Sequence, residues 1–179
     1  RGNIILIGCV DASHSQILTF HLSHPNTKGG RSINHHISKS YLSHDHGPCG
    51  TVPRRELSAL TLGSVMFSVL KKELGKRLGQ ALICSDSKIC LHWATRGTDQ
   101  LKPFILNRIE TIRSHIDVLD ELHYVCTKAN IADGGSRVGK TCPLAKKVGI
   151  SLENYILPKW PEKFMKASAQ DWLDWFDGS

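Results

Sequence analysis

The first part of the chain alternates hydrophobic and polar residues with a period of two, which is typical of strands in a sheet. Residues 3–11 are rich in Ile, Leu and Val and predict a central strand that ends at Asp11. Residues 16–22 predict the second strand of a hairpin, and residues 32–42 predict a third strand after a loop rich in glycine and polar residues. The chain is therefore expected to open with an antiparallel meander.

From Pro53 onward the hydrophobic spacing changes to three or four residues, which is typical of helices. Pro53 suits a first helical turn, where its missing N–H needs no partner. Residues 81–85 predict a short buried strand, and a helical stretch follows it as far as Trp93. Pro103 opens another predicted helix, and residues 122–126 predict a fifth strand. The apolar faces of the two long helices consist of Leu60, Gly63, Phe67, Leu70 and Leu74, and of Ile105, Ile109, Ile112 and Ile116.

The order of elements predicts an α/β fold with a five-stranded mixed sheet. An antiparallel meander is followed by parallel strands that are joined through flanking helices. Asn130 is a suitable N-cap for a short final helix. The pattern weakens after residue 140, so we expect one domain over residues 1–140 and a C-terminal extension, or a linker toward a downstream domain, over residues 141–179.

The charge and the cysteine content narrow the class of protein. The net charge is +7, and residues 51–150 carry 16 Lys and Arg against 9 Asp and Glu, which favours a polyanionic partner. The six cysteines include no C-x-x-C pair. Cys9, Cys84 and Cys126 each fall inside an apolar run, so we expect these three to be reduced, buried thiols in a reducing compartment. The ten histidines are interpreted as exposed polar positions. No apolar run approaches the roughly 20 residues needed to span a bilayer, so no membrane partner is expected.

Four acids occupy positions where a charge is unfavourable. Asp11 ends the most hydrophobic strand, Asp86 closes the strand at 81–85, Glu56 lies on the apolar face of the first helix, and Asp133 follows the last strand. A buried charge needs a partner, and one shared cation would satisfy all four. Carboxylate oxygens suit Mg²⁺ or Mn²⁺, and two such ions can promote the hydrolysis of a phosphodiester.

Five blocks of sequence occur in an order that resembles the ribonuclease H region of BEL/Pao-type long-terminal-repeat retrotransposon polyproteins. They are Val10-Asp-Ala-Ser, Val52-Pro-Arg-Arg-Glu-Leu, Ser85-Asp-Ser, Phe104-Ile-Leu-Asn-Arg-Ile and Asn130-Ile-Ala-Asp-Gly-Gly-Ser-Arg. The resemblance covers residues 4–137. It implies a ribonuclease-H-like fold and a two-metal endonuclease that cuts the RNA strand of RNA–DNA hybrids during reverse transcription.

The resemblance also implies roles for the four acids. Asp11 would bridge two Mg²⁺ or Mn²⁺ ions, and Asp133 would help to hold the ion that activates water. Glu56 and Asp86 would serve the leaving-group side, with Glu56 near the 2′-hydroxyl that distinguishes RNA from DNA. Further partners implied are the adjacent reverse transcriptase and integrase of the polyprotein. The implied location is cytoplasmic, in virus-like particles.

The same alignment of motifs supplies candidate substrate-binding residues. Ser13 and Ser87 lie beside the acids in the sequence and could bond phosphate or ribose, although local turn-capping is the favoured interpretation of both. Asn107 and Arg108 are candidates for contact with the nucleic-acid backbone, and a solvated helix position is an equal alternative for Arg108. The loop before Asp133 lacks the histidine that cellular ribonucleases H carry there. Lys128 is the candidate to replace its charge, although an ordinary solvated loop lysine is the favoured interpretation.

Three other interpretations remain open. The chain could be a non-catalytic ribonuclease-H-like module that binds nucleic acid or connects polymerase to integrase, although such a module has no need of all four acids. It could be a domesticated copy with a new binding role. An integrase or transposase core is disfavoured because that class generally places a glutamate last, whereas here the glutamate is second and an aspartate is last.

Overall fold

The computed structural model describes residues 2–13, 15–42, 50–96, 98–125, 127, 130 and 132. Five strands form one sheet in the order β3-β2-β1-β4-β5. The first three pair antiparallel, and β4 and β5 continue the sheet parallel to β1. This confirms the expected α/β fold with ribonuclease-H-like topology. The strands are β1 (Ile4–Ala12), β2 (Ser15–Pro25), β3 (Arg31–Leu42), β4 (Leu78–Ser85) and β5 (Leu122–Tyr124).

Three helices lie between the strands at the predicted places. They are α1 (Val52–Leu74), α2 (Lys88–Thr95) and α3 (Pro103–His115), and a single 3₁₀ turn, Gly75–Arg77, joins α1 to β4. Both predicted prolines lie in the first turn of their helices, where no donor is lost. Within the described residues, no helix is long and apolar enough to cross a membrane.

The sheet separates two apolar clusters. Side chains alternate between the faces of a strand, so Leu6 and Val10 of β1 lie in a cluster with the apolar residues of α1, α2 and α3. Ile7 and Cys9 belong to a second cluster on the opposite face, together with Cys84 of β4. The strand that carries Asp11 is therefore buried on both faces, as its continuous apolar run predicted.

The cysteines of β1 and β4 lie side by side in the sheet. Cys9 is the register partner of Cys84, and both are fully buried free thiols. A hydrogen bond with Cys9 and then burial raise the pKa of the Cys84 thiol. The prediction of reduced, buried cysteines is confirmed for these two residues, while Cys126 lies outside the described residues.

The expectation that the histidines are exposed is wrong for His21 and His123. His21 is only 2% exposed and His123 only 7%. His21 pairs with Ile7 across the β1–β2 ladder, and strand alternation turns its ring toward the second apolar cluster. His21 is therefore buried, although it is polar, because its neighbours on that face of the sheet are apolar.

Candidate active site

Two of the predicted acids lie at the same edge of the sheet. Val10 of β1 is the register partner of Ser85 in the parallel β4. Asp11 and Asp86 are the residues that directly follow these partners, so one carboxylate lies near the end of β1 and the other directly after the adjacent β4. Asp11 is 7% exposed, although it is a charged residue. Sequence position at two strand ends predicted this neighbourhood, because parallel strands end at a common edge.

The third acid reaches this edge from the first helix. Glu56 lies one turn inside the N-terminus of α1 and is half-buried. The start of α2 packs beside it, since the Cys90 thiol donates to the Pro53 carbonyl over 3.5 Å. The Ser87 hydroxyl hydrogen-bonds to the Glu56 carboxylate. The N-terminal turns of α1 and α2 therefore hold Glu56 toward the strand ends.

The pKa values of two carboxyl groups are raised because the acids are partly buried and lie close to one another. Burial, with smaller contributions from the negative charges of Asp86 and Asp11, raises the pKa of Glu56 to about 7, against the opposing effect of Ser87. Burial and then the charge of Asp11 raise the pKa of Asp86 to about 6. Asp11, Glu56 and Asp86 thus interact electrostatically. Perturbed carboxyl groups in one cluster are typical of functional sites.

The loop after β5 contributes two polar contacts to Asp86. The Thr127 hydroxyl and the Asn130 side chain both hydrogen-bond to its carboxylate, and both oppose the rise in its pKa. Thr127 is not among the predicted site residues, and the sequence predicts Asn130 only as a helix cap. No signal in the sequence distinguishes these residues from ordinary turn formers, because their partner lies about forty residues away along the chain.

The oxygen donors of this cluster have the chemistry that Mg²⁺ and Mn²⁺ prefer. Asp11, Glu56 and Asp86 would be the ligands within the described part of the chain. The fourth predicted ligand, Asp133, lies outside the described residues, as does Lys128. Across the residues that the structure describes, no group of three acidic, histidine or cysteine side chains is arranged to hold a metal ion by itself. The donor types fit such an ion, and the predicted set requires Asp133 for its completion.

The two predicted serines have partners within the protein. Ser87 is 6% exposed and caps α2, where its side chain accepts from the Cys90 N–H at 3.5 Å. Ser13 lies in the turn after β1, and its N–H donates to the Ser15 carbonyl at 3.1 Å. The capping alternative therefore describes Ser87 well, and a substrate contact of either serine stays a prediction.

Asn107 and Arg108 line a groove of about 480 Å³ between α1, α3 and the ends of β2 and β3. Arg108 is held by three contacts: its Nε donates to Ser58 Oγ at 3.2 Å, its Nη1 donates to the Phe104 carbonyl at 3.1 Å, and its guanidinium stacks 3.5 Å from the Phe104 ring centroid. Arginine has five donors, and these bonds use two. The other lining residues are Gln16, Tyr41, Leu42, Ser58, Thr61, Leu62 and Thr111.

One lining residue of the groove lies close to Asp11 in the strand register. Gln16, which lines it, is the register partner of Ala12, the residue that follows Asp11. Tyr41 pairs with Gln16 on the other side.

No protein-family model and no curated protein matches the sequence. Among solved structures, the chain is similar to the N-terminal RNase H domain of rv2228c from Mycobacterium tuberculosis, solved as a fusion with maltose binding protein, at 12% identity and a TM-score of 0.42 over 73% of this chain and 86% of that one. It is also similar to the Ppx/GppA family member of Aquifex aeolicus, at 10% identity and a TM-score of 0.34 over 68% of this chain and 35% of that one. The assignment of a ribonuclease-H-like fold rests on the strand order and strand directions of the sheet itself.

Proposed function

We propose that this chain is a metal-dependent ribonuclease H that hydrolyses the RNA strand of RNA–DNA hybrids. The observation that carries the proposal is the meeting of Asp11, Glu56 and Asp86 at one edge of the sheet, where burial, and to a smaller extent the charges of Asp86 and Asp11, raise the pKa of Glu56. Three ionisable acids in a half-buried cluster destabilise a fold. A function that needs all three is therefore the best explanation for their presence.

Asp11, Glu56, Asp86 and Asp133 would hold two Mg²⁺ or Mn²⁺ ions. When bound, such ions supply an activated water and stabilise the leaving oxygen of a phosphodiester. The chain's own part is to keep the carboxylates fixed. Ser87 orients Glu56, and Thr127 orients Asp86. These contacts favour the ionised carboxylates, which are the forms that bind metal.

The groove between α1, α3 and the ends of β2 and β3 supports a polynucleotide substrate. Arg108 is anchored on Phe104 and Ser58 and retains further donors that suit a phosphate. Asn107 is exposed at the same groove and offers an amide to sugar or phosphate. The excess of positive charge in residues 51–150 would add a non-specific attraction to the same polyanion.

The origin of the chain is proposed from the sequence motifs alone. The ordered blocks around Asp11, Glu56, Asp86 and Asp133 support a BEL/Pao-type retrotransposon polyprotein. The partners would then be the adjacent reverse transcriptase and integrase, and the location would be cytoplasmic, in virus-like particles. Residues 141–179 would lead from the nuclease toward the next domain.

The test is cleavage of a labelled RNA–DNA hybrid by the full chain, with Mg²⁺ or Mn²⁺ and with a chelator. We expect cleavage of the RNA strand that requires the metal, and a loss of more than about 100-fold in Asp86→Asn. Asp99→Asn is the matched control, since it makes the same change of charge at an exposed loop residue. Duplex DNA and single-stranded RNA serve as substrates that should remain intact. Equal cleavage by Asp86→Asn and wild type would disprove the proposal.

A non-catalytic nucleic-acid-binding module is the second candidate. The observation in its favour is that the groove around Arg108 is complete within the described residues, whereas the described acids do not by themselves form a metal site. In that case the wild-type chain would bind the hybrid and leave it intact with either metal. The Asp86→Asn variant would bind the hybrid with the same affinity as wild type.

A further inference from the structure

Asn130 joins parts of the chain that are far apart in sequence. Its side-chain Nδ2 donates to the Val10 carbonyl at 3.0 Å, and its Oδ1 accepts from the Ala132 N–H at 3.1 Å. Asn130 is 2% exposed, and both bonds are buried. Its amide therefore has no competition from water for these partners.

The same side chain also reaches the candidate active site. It hydrogen-bonds to the carboxylate of Asp86, while Val10, its acceptor on β1, is the residue before Asp11. An asparagine Nδ2 carries two N–H groups, so one can serve the Val10 carbonyl while the other serves Asp86. A single planar group thus links the ends of β1 and β4.

The third bond points along the chain toward the last predicted acid. Ala132, whose N–H is held by Asn130, is 1% exposed and immediately precedes Asp133 in sequence. This short-range bond from a side-chain oxygen to the N–H two residues later is the kind that asparagine forms in turns and caps. It fixes the backbone at the point where the stretch that carries Asp133 begins.

Few residue types could make these three contacts together. Aspartate has the size and the acceptor but no donor. Serine can supply an acceptor to a nearby N–H, but its single hydroxyl is too short to span to β1 and to Asp86 as well. Glutamine has the same amide donor and acceptor, but its side chain is one methylene longer and would have to fit into a buried position.

We propose that Asn130 is a positioning residue for the metal-binding carboxylates. It fixes Asp86 relative to the β1 backbone that carries Asp11, and it anchors the chain that leads to Asp133. This inference rests on the proposed nuclease function. Residues that orient metal ligands from behind commonly contribute 10–100-fold to metal affinity or activity, and we expect an effect of about this size.

The experiment compares Asn130→Ser with wild type in the full chain. Serine keeps an acceptor for the Ala132 N–H but removes the two amide N–H groups. The variant therefore tests the link to Val10 and Asp86 while it leaves the local turn in place. We expect the affinity for Mn²⁺, measured by calorimetry, to fall by about 10-fold or more. The metal concentration for half-maximal cleavage of the hybrid should rise by the same factor. Asn34→Ser is the matched control, because Asn34 is exposed on β3 and pairs with Leu22, far from the edge that carries Asp11.

Thermal unfolding separates positioning from a merely structural role. A structural role would lower the melting temperature and leave the Mn²⁺ affinity of the folded fraction unchanged, which would overturn the inference. If Asn130→Ser unfolds at the assay temperature, Asn130→Thr fills more of the space and replaces it. Failure of the nuclease proposal looks different: the wild-type chain itself would bind no Mn²⁺ and cut no hybrid. Wild-type binding that is lost in Asp86→Asn but kept in Asn130→Ser overturns the inference alone.

Discussion

Gly63 of α1 lies so close to Val10 of β1 that a Cβ at position 63 would meet Val10 Cγ1 at 2.5 Å. The same Cβ would lie 3.3 Å from Ile83 Cδ1 of β4. Helix α1 therefore rests directly on the two strands that carry Asp11 and Asp86. The depth of this contact sets how far Glu56, two turns earlier on the helix, reaches toward the strand ends.

We predict that Gly63→Ala destabilises the chain even though alanine favours helices. Overpacking a core costs about 1–3 kcal/mol, against a gain of about 1 kcal/mol in helix propensity. The net loss in the free energy of unfolding should be about 1 kcal/mol, measured by urea denaturation, and cleavage should fall as Glu56 is displaced. Val65→Ala on the exposed side of α1 should change stability by less than about 0.5 kcal/mol. Gain of stability in Gly63→Ala would contradict the close approach.

Glu56 gives a prediction about stability and pH in the metal-free protein. Its pKa is raised from 4.5 to about 7, so the folded chain keeps a proton that the unfolded chain releases. Stability from this group is therefore lost as the pH rises from 4.5 to about 7. Glu56→Gln removes the penalty and should raise the melting temperature by about 2–4 °C at about pH 8, with no difference at about pH 4. A lower melting temperature of Glu56→Gln at about pH 8 would contradict the assignment.

Divalent metal should reverse that penalty in the wild-type chain. A ligand that binds only the folded state stabilises it, by about 2.7 kcal/mol at a concentration of 100 times its Kd. We predict that Mn²⁺ raises the melting temperature of wild type and that a chelator restores the original value. Asp86→Asn should show little or no shift, and Asp99→Asn should behave as wild type. An equal shift in all three chains would indicate non-specific binding.

His21 should be a source of instability at acid pH. Both of its ring nitrogens are buried and lack hydrogen-bond partners. Burial and then the charge of His35 lower its pKa from 6.5 to about 4. Between these two pH values His21 binds a proton in the unfolded chain but not in the folded chain. The free energy of unfolding therefore falls as the pH decreases from 6.5 to about 4.

Replacing His21 by leucine should remove this instability. We expect His21→Leu to increase the free energy of unfolding by about 1–2 kcal/mol at about pH 5 and by less at about pH 8. Chemical denaturation at the two pH values measures the difference. His36→Gln, at an exposed position of β3, provides the comparison and should have little effect at either pH. A destabilised His21→Leu would show that the ring has a polar partner.

Arg108 is expected to contribute to binding of the hybrid more than to the chemical step. We predict that Arg108→Gln weakens hybrid affinity at every sequence and lowers the slope of log affinity against log salt by about 1. Fluorescence anisotropy over a salt series measures both. Lys72→Gln removes a charge at an exposed position near the far end of α1 and should leave the slope nearly unchanged. An unchanged slope in Arg108→Gln would assign its role to packing on Phe104 and Ser58.

Much of the architecture followed from residue spacing. Alternation in residues 3–42 and helical spacing after Pro53 predicted the meander and the long helices, because burial on one or both faces determines these patterns. Strand ends were less predictable. β2 extends to Pro25 and β4 begins at Leu78, beyond the apolar runs, since ladder hydrogen bonds between backbones need no apolar side chains.

The candidate site was predictable only in part. Asp11 and Asp86 stood out because charges at the ends of buried strands require an explanation. The contacts of Thr127 and Asn130 did not stand out, since a hydrogen bond between distant residues leaves no periodic signal. The burial of His21 was missed for a related reason: its surroundings are set by the neighbouring strand β1 and not by adjacent residues in the sequence.

The bond from Asn130 to Val10 closes a loop of 120 residues, and this has a consequence for biosynthesis. Contacts between residues so far apart form late, because the intervening chain must first be ordered. A nascent chain that has completed all five strands, as far as Tyr124, already contains Asp11, Glu56 and Asp86 but still lacks the amide that aligns two of them. If the chain is the proposed nuclease, its activity would then depend on the completed fold, because Asn130 joins the site only after the last strand has been made.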